Sequence, residues 1–311
     1  MHRDLRTGTR SRFILAAMLS MVSCSGGTPA PSGIAPAPDV DPGDLVARGE
    51  YIVRAAAVCG HCHAADPQND PDGALSGGYA FRNWRLGTIR ASNITPDSIT
   101  GIGKWTDAEI VRALRTGEDH EREVLAPVMP YAWFHDLSDY DALAVARYLK
   151  SQPPVHNLVD SDPNLVFEAA QALFLLPIDD PRPRAPAPGP TAQYGRYLAN
   201  HVALCADCHT PRGGLQNDTD RDHLFEGDDD SDFPANPANL TPDTATGIGK
   251  WSEEDFLRTL RTGVNPAGDS LHAFMPWRQV GRMTDDDLRA IYRYLRTLPP
   301  VRHEIPEKPR G

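Results

Sequence analysis

The chain has 311 residues, a formal net charge of −11 and an apolar fraction of 40%. This length allows about two domains of ordinary size. The acidic balance argues against a nucleic acid as partner, because binding to a phosphate backbone depends on basic side chains. The same balance is compatible with docking to a basic patch on another protein.

The N-terminal segment has the pattern of a bacterial export signal. A basic front precedes an apolar run, Phe13–Val22, that is too short to span a bilayer and so indicates a signal peptide. The approach to Cys24, Met21-Val22-Ser23, resembles a lipobox, in which the cysteine becomes the lipidated first residue of the mature protein. Met21 stands where leucine is usual, and ordinary cleavage that discards Cys24 is the alternative. The stretch after Cys24 is rich in Pro, Gly, Ser and Ala and predicts a flexible tether.

Two Cys-x-x-Cys-His segments, called haem motifs below, stand 146 residues apart, and a Met-Pro pair follows each at the same distance of 70 residues. In such a motif two thiols can form thioether bonds to a haem while the adjacent imidazole reaches its iron. A thioether sulfur at a fixed downstream distance can close the sixth position. The motifs and pairs are Cys59-Gly-His-Cys62-His63 with Met129-Pro130, and Cys205-Ala-Asp-Cys208-His209 with Met275-Pro276.

The same cysteine spacing also occurs in zinc knuckles, redox dithiols and structural disulfides. Zinc fits poorly, because four thiolates would leave both histidines and both Met-Pro pairs without a role. A redox dithiol usually starts a helix within a βαβ pattern, which this sequence lacks. The two motifs use four of the five cysteines and leave only Cys24, so haem attachment is favoured.

The sequence repeats itself without a gap. Residues 49–157 align with 195–303, and 15 of 25 positions are identical between Asn93–Gly117 and Asn239–Gly263. An internal duplication is the economical explanation. The domains predicted at 44–158 and 191–304 are called the first and second repeat below. The other predicted segments are the signal peptide (1–23), the tether (24–43), a linker (159–190) and a tail (305–311).

Each repeat predicts helices and little strand, so we expect an all-α fold. One helix leads into the haem motif, a second starts with a capping box and ends at a glycine, and a third stops before a Pro-Pro pair. Their predicted positions are Leu45–Val58 and Gln193–Leu204, then Thr106–Gly117 and Ser252–Gly263, then starts at Ser138 and Thr284. In the linker, Asn164–Leu176 predicts a short apolar helix before a stiff proline-rich connector.

Further motifs carry a resemblance to a known family. Asn-x-Thr-Pro-Asp, Thr-Gly-Ile-Gly-Lys-Trp, Arg-Thr-Gly and Met-Pro-Tyr/Trp occur in both repeats. They are similar to the signature of the multihaem cytochrome c subunits of bacterial membrane-bound dehydrogenases, such as alcohol and gluconate dehydrogenase. Those subunits usually carry three haem domains and a C-terminal membrane segment, whereas this sequence has two haem motifs. The resemblance implies two tandem class-I-like cytochrome c domains.

The resemblance also implies two covalently attached c-type haems. Thioether attachment falls to Cys59, Cys62, Cys205 and Cys208, and axial ligation of iron to His63, Met129, His209 and Met275. For each methionine the alternative is the commoner use as a core gap-filler. Contacts near the haem edge are expected from Asn93, Trp105, Asn239 and Trp251, with a tight turn and a core aromatic as the alternative for the tryptophans.

A haem with two protein ligands has no open position for a substrate, which favours electron transfer over catalysis. We therefore predict an electron carrier rather than an enzyme, lipid-anchored on the periplasmic side of a bacterial membrane. Its predicted partners are redox proteins: a dehydrogenase subunit, a quinol-oxidising complex, an oxidase or a small cytochrome. A di-haem peroxidase with one exchangeable haem is the alternative, although the repetition of Met129 as Met275 argues against it. In a third interpretation the chain lends its haems to an active site on another polypeptide.

Overall fold

A computed structural model describes residues 41–83, 87–174, 177–179, 184–213, 218–231 and 233–308. The predicted signal peptide and Cys24 lie outside the described residues. Within the described ranges, no helix is both long enough and apolar enough to cross a membrane.

Most regular structure in the described chain is helical. In chain order the α-helices are α1 (Pro42–Tyr51), α2 (Gly60–His63), α3 (Asp107–Thr116), α4 (Tyr131–Phe134), α5 (Asp139–Ser151), α6 (Leu165–Phe174), α7 (Ala192–Tyr197), α8 (Cys205–His209), α9 (Glu253–Thr262), α10 (Trp277–Val280) and α11 (Asp285–Leu295).

Two small antiparallel sheets accompany the helices, so the all-α prediction is correct only in part. One sheet has the order β1 (Ala80–Asn83), β2 (Gly87–Arg90), β3 (Asp162–Pro163), and the other pairs β4 (Arg212–Gly213) with β5 (Asp218–Thr219). In the first sheet Ala80 pairs with Arg90, and Thr88 pairs with Asp162. The strands have four residues or fewer, which is too short to leave a recognisable alternation of apolar and polar side chains.

The middle helix of each repeat has the predicted ends. Thr106 Oγ1 accepts a hydrogen bond from the Glu109 N–H at 3.2 Å, and the Glu109 carboxylate accepts one from the Thr106 N–H at 2.7 Å. Ser252 and Asp255 form the same reciprocal pair at the start of α9. Both helices end at a glycine in the left-handed region, Gly117 (φ 72°) and Gly263 (φ 70°). The capping predictions are confirmed.

The helix that leads into each haem motif changes its pitch before it ends. α1 gives way to a π-helical turn at Ile52–Ala56, and α7 to one at Leu198–Val202, where the sequence predicts uninterrupted helix. Each wide turn is closed by a backbone hydrogen bond of 2.7 Å, from Ala57 N to the oxygen of Ile52 and from Ala203 N to that of Leu198. A π turn is one helical turn with an extra residue, so hydrophobic periodicity does not reveal it.

The two repeats contact each other through a reciprocal pair of hydrogen bonds. Tyr51 donates its hydroxyl proton to Asp287 at 2.5 Å, and Tyr197, at the matching position, donates to Asp141 at 2.6 Å. Each tyrosine thereby binds the first turn of the last helix in the other repeat, as in a two-fold symmetric dimer. Buried apolar side chains from both repeats also join in one cluster.

The linker packs on the first repeat. α6 lies within the predicted helix Asn164–Leu176, and its Phe167 side chain is buried. After this helix, Ile178 donates its N–H to the carbonyl of Thr116 at 3.0 Å, at the end of α3. Before it, β3 pairs with β2 of the first repeat. The linker therefore belongs structurally to the first repeat.

Candidate haem sites

Both haem motifs begin directly after a strained residue. Val58 has a φ of 45° and Leu204 a φ of 52°, and these residues immediately precede the first cysteine of each motif. A residue other than glycine in the left-handed region costs roughly 1–3 kcal/mol and persists only where the surroundings hold it. Here the π turn and the following short helices, α2 and α8, hold it in both repeats. The left-handed backbone conformation at these two matching residues sets the direction in which each motif leaves its helix.

The two motif histidines are held in the same way. Nδ1 of His63 lies 2.7 Å from the carbonyl oxygen of Ser92, and Nδ1 of His209 lies 2.8 Å from that of Ala238. When Nδ1 carries the proton for this bond, Nε2 presents its lone pair, which is the arrangement of a histidine that binds a metal. Burial lowers the pKa of both imidazoles, which favours the neutral form that ligation needs. The donor set therefore fits haem iron at both sites.

The motif cysteines are free of disulfide bonds among the described residues. Burial raises the pKa of Cys59 to about 11 and the pKa values of Cys62 and Cys205 to about 12, and it also raises the pKa of Cys208. A redox dithiol needs the opposite shift, because its thiolate is the reactive form. Among the described residues no three His, Cys, Asp or Glu side chains converge as a metal-ion site, so a zinc knuckle has no ligand set here. Thioether attachment to haem uses the four thiols and requires neither a lowered thiol pKa nor a set of converging metal ligands.

The two candidate methionine ligands occupy matching turns. Met129 donates its N–H to Ala126 O at 3.0 Å, and its carbonyl accepts the N–H of Tyr131 at 2.8 Å. Met275 makes the equivalent bonds with His272 and Trp277 at the same distances of 3.0 and 2.8 Å. Both side chains are partly buried against the hydrophobic cluster. Identical backbone geometry at both places supports a shared task, and axial ligation stays a prediction.

Asn93 and Asn239 brace the loops in which they lie. The Asn93 side-chain oxygen accepts bonds from the N–H and the hydroxyl of Thr95 at 3.0 and 2.7 Å, while its amide donates to Val155 O at 2.8 Å. Asn239 repeats this pattern with Thr241 and Val301, the latter at 2.8 Å. Each asparagine thus ties the Asn-x-Thr-Pro-Asp loop to the chain after the last helix. A contact with a haem edge stays a prediction for both.

The two candidate tryptophans are partly buried at the start of the capped helices. The Trp105 ring stacks on His120 with centroids 4.6 Å apart, and its carbonyl accepts a bond from Lys150 Nζ at 2.8 Å. The Trp251 carbonyl accepts the hydroxyl proton of Tyr292 at 2.8 Å. Both residues pack against the hydrophobic cluster. Their backbone contacts fix the loop, and the haem contact of their rings stays a prediction.

The two haem motifs lie near each other. Burial raises the pKa of Cys208, and so do the Asp207 carboxylate and the Cys62 thiol of the first motif. Burial also raises the pKa of Cys62, and Asp207 in the second motif adds to that rise. Asp207 also forms an ion pair with Arg212 at 3.0 Å. The sequence does not reveal this proximity, because the residues involved are far apart in the chain and Asp207 has a histidine, His61, at the matching position of the first motif. The fold therefore brings close together two motifs that are far apart in the sequence.

The loops that lead to the two methionines differ in exposure. In the first repeat the linker contacts this loop, because Gln171 donates a side-chain hydrogen bond to Val124 O. The Arg115 side chain, near the end of α3, is 0% exposed. In the second repeat the matching Arg261 side chain is 38% exposed, and the nearby Val264 is 37% exposed. A protein that approaches the methionine side would meet the linker on the first repeat but the loop itself on the second.

Comparisons with known proteins agree with this geometry. The sequence profile of the cytochrome c family matches residues 192–299. A protein of Cereibacter sphaeroides described as a diheme cytochrome c-type is 32% identical over 265 residues, which cover 82% of this chain and 86% of that protein. The chain belongs to the cytochrome c family, whose members bind haem covalently, and the resemblance predicted from sequence is confirmed.

Two further relatives are subunits of dehydrogenases. The cytochrome c subunit of alcohol dehydrogenase (quinone) from Gluconacetobacter polyoxogenes is 32% identical over 286 residues, covering 87% of this chain and 59% of that subunit. The cytochrome c subunit of gluconate 2-dehydrogenase from Pantoea cypripedii is 32% identical over 279 residues, covering 82% and 59%. This chain thus spans about three fifths of the length of these two relatives.

Proposed function

We propose that this protein is a di-haem electron carrier in which His63 and Met129 ligate one iron and His209 and Met275 ligate the other. The observation that carries this proposal is the matched pair of imidazoles, each with Nδ1 bound to a backbone carbonyl and Nε2 left for a metal. The repeats have the same methionine turns, which supports the same ligand set at both sites. Two tandem cytochrome c domains that arose by internal duplication account for this symmetry.

A covalently held haem supplies reversible one-electron chemistry at its iron. In each site the protein residues hold and orient that group. The cysteines fix its edge, and the histidine is fixed by the carbonyl on its far side. The methionine turn supplies a thioether, and a Met/His pair raises the reduction potential relative to harder ligands. With a histidine and a methionine of the protein as ligands, each iron would have no position left for a substrate.

The partner class follows from the relatives, which are named as cytochrome c subunits of dehydrogenases. We propose that this chain accepts single electrons from a dehydrogenase or another donor and passes them toward the respiratory chain. The net charge of −11 favours partners with basic docking patches. Such association should weaken as the salt concentration rises, because screening shortens the range of the attraction.

Optical and low-temperature EPR spectra of the ferric and half-reduced protein test this function. We expect two low-spin haems that do not respond to hydrogen peroxide, because each iron has two protein ligands. A high-spin or peroxide-reactive haem at either site would contradict the proposal and favour a di-haem peroxidase. Pyridine haemochrome analysis of the same sample should give two covalently bound haems per chain.

The proposed location is the periplasmic side of a bacterial membrane, with lipid on Cys24 as anchor. Replacing Cys24 by alanine should abolish the incorporation of labelled palmitate into the protein, because the lipid cannot be attached. Thr28→Ala, a nearby change that leaves the thiol in place, serves as the control. If the Cys24→Ala protein takes up labelled palmitate as the wild type does, or if the mature wild-type protein begins after residue 24, the lipid-anchor proposal is wrong.

A further inference from the structure

The third residue of each haem motif reaches across to the other repeat. In the first motif this residue is His61, whose ring makes an edge contact with Phe274 at a centroid distance of 5.0 Å. In the second motif it is Asp207, which pairs with Arg212 at 3.0 Å and whose carboxylate contacts the Trp133 side chain. Phe274 directly precedes Met275, and Trp133 lies four residues after Met129. Each haem motif therefore contacts the methionine segment of the opposite repeat.

Trp133 is buried and contacts residues of the second repeat. It is 4% exposed, and its carbonyl lies 2.9 Å from Nδ1 of His201. The Arg221 guanidinium lies over its ring at 4.4 Å from the centroid and also donates a bond to Ala132 O at 2.8 Å. A cation over an indole face is favourable. Residues of the second repeat thus fix the side chain of Trp133.

The contact between His61 and Phe274 continues into further packed side chains of the second repeat. The Phe274 ring packs on Phe233 with centroids 5.1 Å apart, and the Arg212 guanidinium lies 4.7 Å from the Phe233 centroid. Arg212 in turn pairs with Asp207. An unbroken run of packed groups therefore connects the first motif, through the second methionine segment, to the second motif.

We propose that the two reciprocal contacts, His61 with Phe274 and Trp133 with Asp207, form the route by which an electron passes between the two haem sites. This inference rests on the proposed function. One electron leaves one ferrous iron, which becomes ferric, and reduces the other iron from ferric to ferrous; no bond is made or broken. Electron tunnelling falls off more steeply across gaps than through packed atoms, so these bridging side chains set the rate.

Exchange NMR of the half-reduced protein measures this rate, because hyperfine-shifted methyl signals report each haem separately. We expect Phe274→Leu and Trp133→Leu each to slow the exchange several-fold and the double variant to slow it further. Trp133→Phe, which keeps a ring, should recover most of the rate. Phe81→Leu removes the same kind of ring from β1, where it packs on Tyr79 at a centroid distance of 5.0 Å, and should leave the rate unchanged.

Three further readouts separate a bridge from a structural support. Absorption spectra and midpoint potentials should stay as in the wild type, and so should hydrogen exchange of residues 198–209, because Trp133→Leu keeps the backbone carbonyl that contacts His201; a structural support would instead raise the exchange. An unchanged rate in the double variant, or slowing that appears only with altered spectra, would overturn the inference. If the wild-type protein itself lacks two low-spin haems, the proposed function fails before any variant is compared.

Discussion

Met275→Leu should convert one of the two haems into a species that binds carbon monoxide while the other stays closed. Leucine conserves the volume of methionine but has no sulfur to donate to iron, so the sixth position at that site opens. The midpoint potential of that haem should also fall, because the thioether favours the ferrous state. Carbon monoxide titration of the reduced protein, read in the optical spectrum, should saturate at one ligand per chain. Met129→Leu should give the complementary result at the other site.

Met283→Leu is the matched control for this experiment. Met283 lies in the same repeat as Met275, is 0% exposed and belongs to the hydrophobic cluster. The same substitution there should change stability by less than about 1.5 kcal/mol and leave both haems closed to carbon monoxide. If Met275→Leu is as indifferent to carbon monoxide as Met283→Leu, then Met275 is not an axial ligand. The second haem would then need a different sixth ligand, and the proposed symmetry of the two sites would be wrong.

The features that the sequence predicts correctly depend on residues that are close together in the chain. The capping boxes, such as Thr106 with Glu109, depend on residues three apart, and their hydrogen bonds follow from that spacing. The haem motifs are equally local, since five consecutive residues supply both thiols and the imidazole. The bond from His63 to Ser92 spans 29 residues and has no sequence signature of its own, yet it repeats with the motif in the second half of the chain.

What the sequence did not predict depends on distant pairs. Tyr51 and Asp287 are 236 residues apart, and only the folded chain brings them together. The same holds for Trp133 and Asp207, which look like a core aromatic and a solvent-exposed acid when read singly. The π turn before each motif was missed because it keeps the apolar pattern of a helix. Interfaces between repeats are therefore the part of this protein that a motif-based analysis describes least.

Gly49→Ala should destabilise the protein by about 3 kcal/mol and lower the occupancy of the first haem. This is the opposite of the usual effect, because alanine normally stabilises a helix by roughly 0.5–1 kcal/mol relative to glycine. A methyl group at Gly49 would lie 2.0 Å from the carbonyl oxygen of Ala144 and 2.6 Å from Cβ of Tyr148. Since these are backbone and Cβ atoms of α5, no change of side-chain rotamer relieves the overlap, and α1 and α5 must separate. α1 continues through the π turn into Cys59, so its displacement also moves the haem attachment point. Chemical denaturation gives the free energy of unfolding, and the haem content of the purified protein gives the occupancy.

Gly43→Ala in the same helix distinguishes this packing effect from any general effect of alanine. Its new methyl group would meet only the side chain of Asp41, at 3.3 Å, and a small shift of this exposed carboxylate relieves the contact while it still accepts the Gly43 N–H, now at 2.8 Å. We expect this variant to be as stable as the wild type or slightly more stable. Gly195→Ala, whose methyl would lie 1.8 Å from Ala290 O, should transfer the defect to the second haem. Equal stability of the Gly49→Ala and Gly43→Ala proteins would mean that α1 and α5 do not cross this closely, and the link from helix packing to haem attachment would be lost.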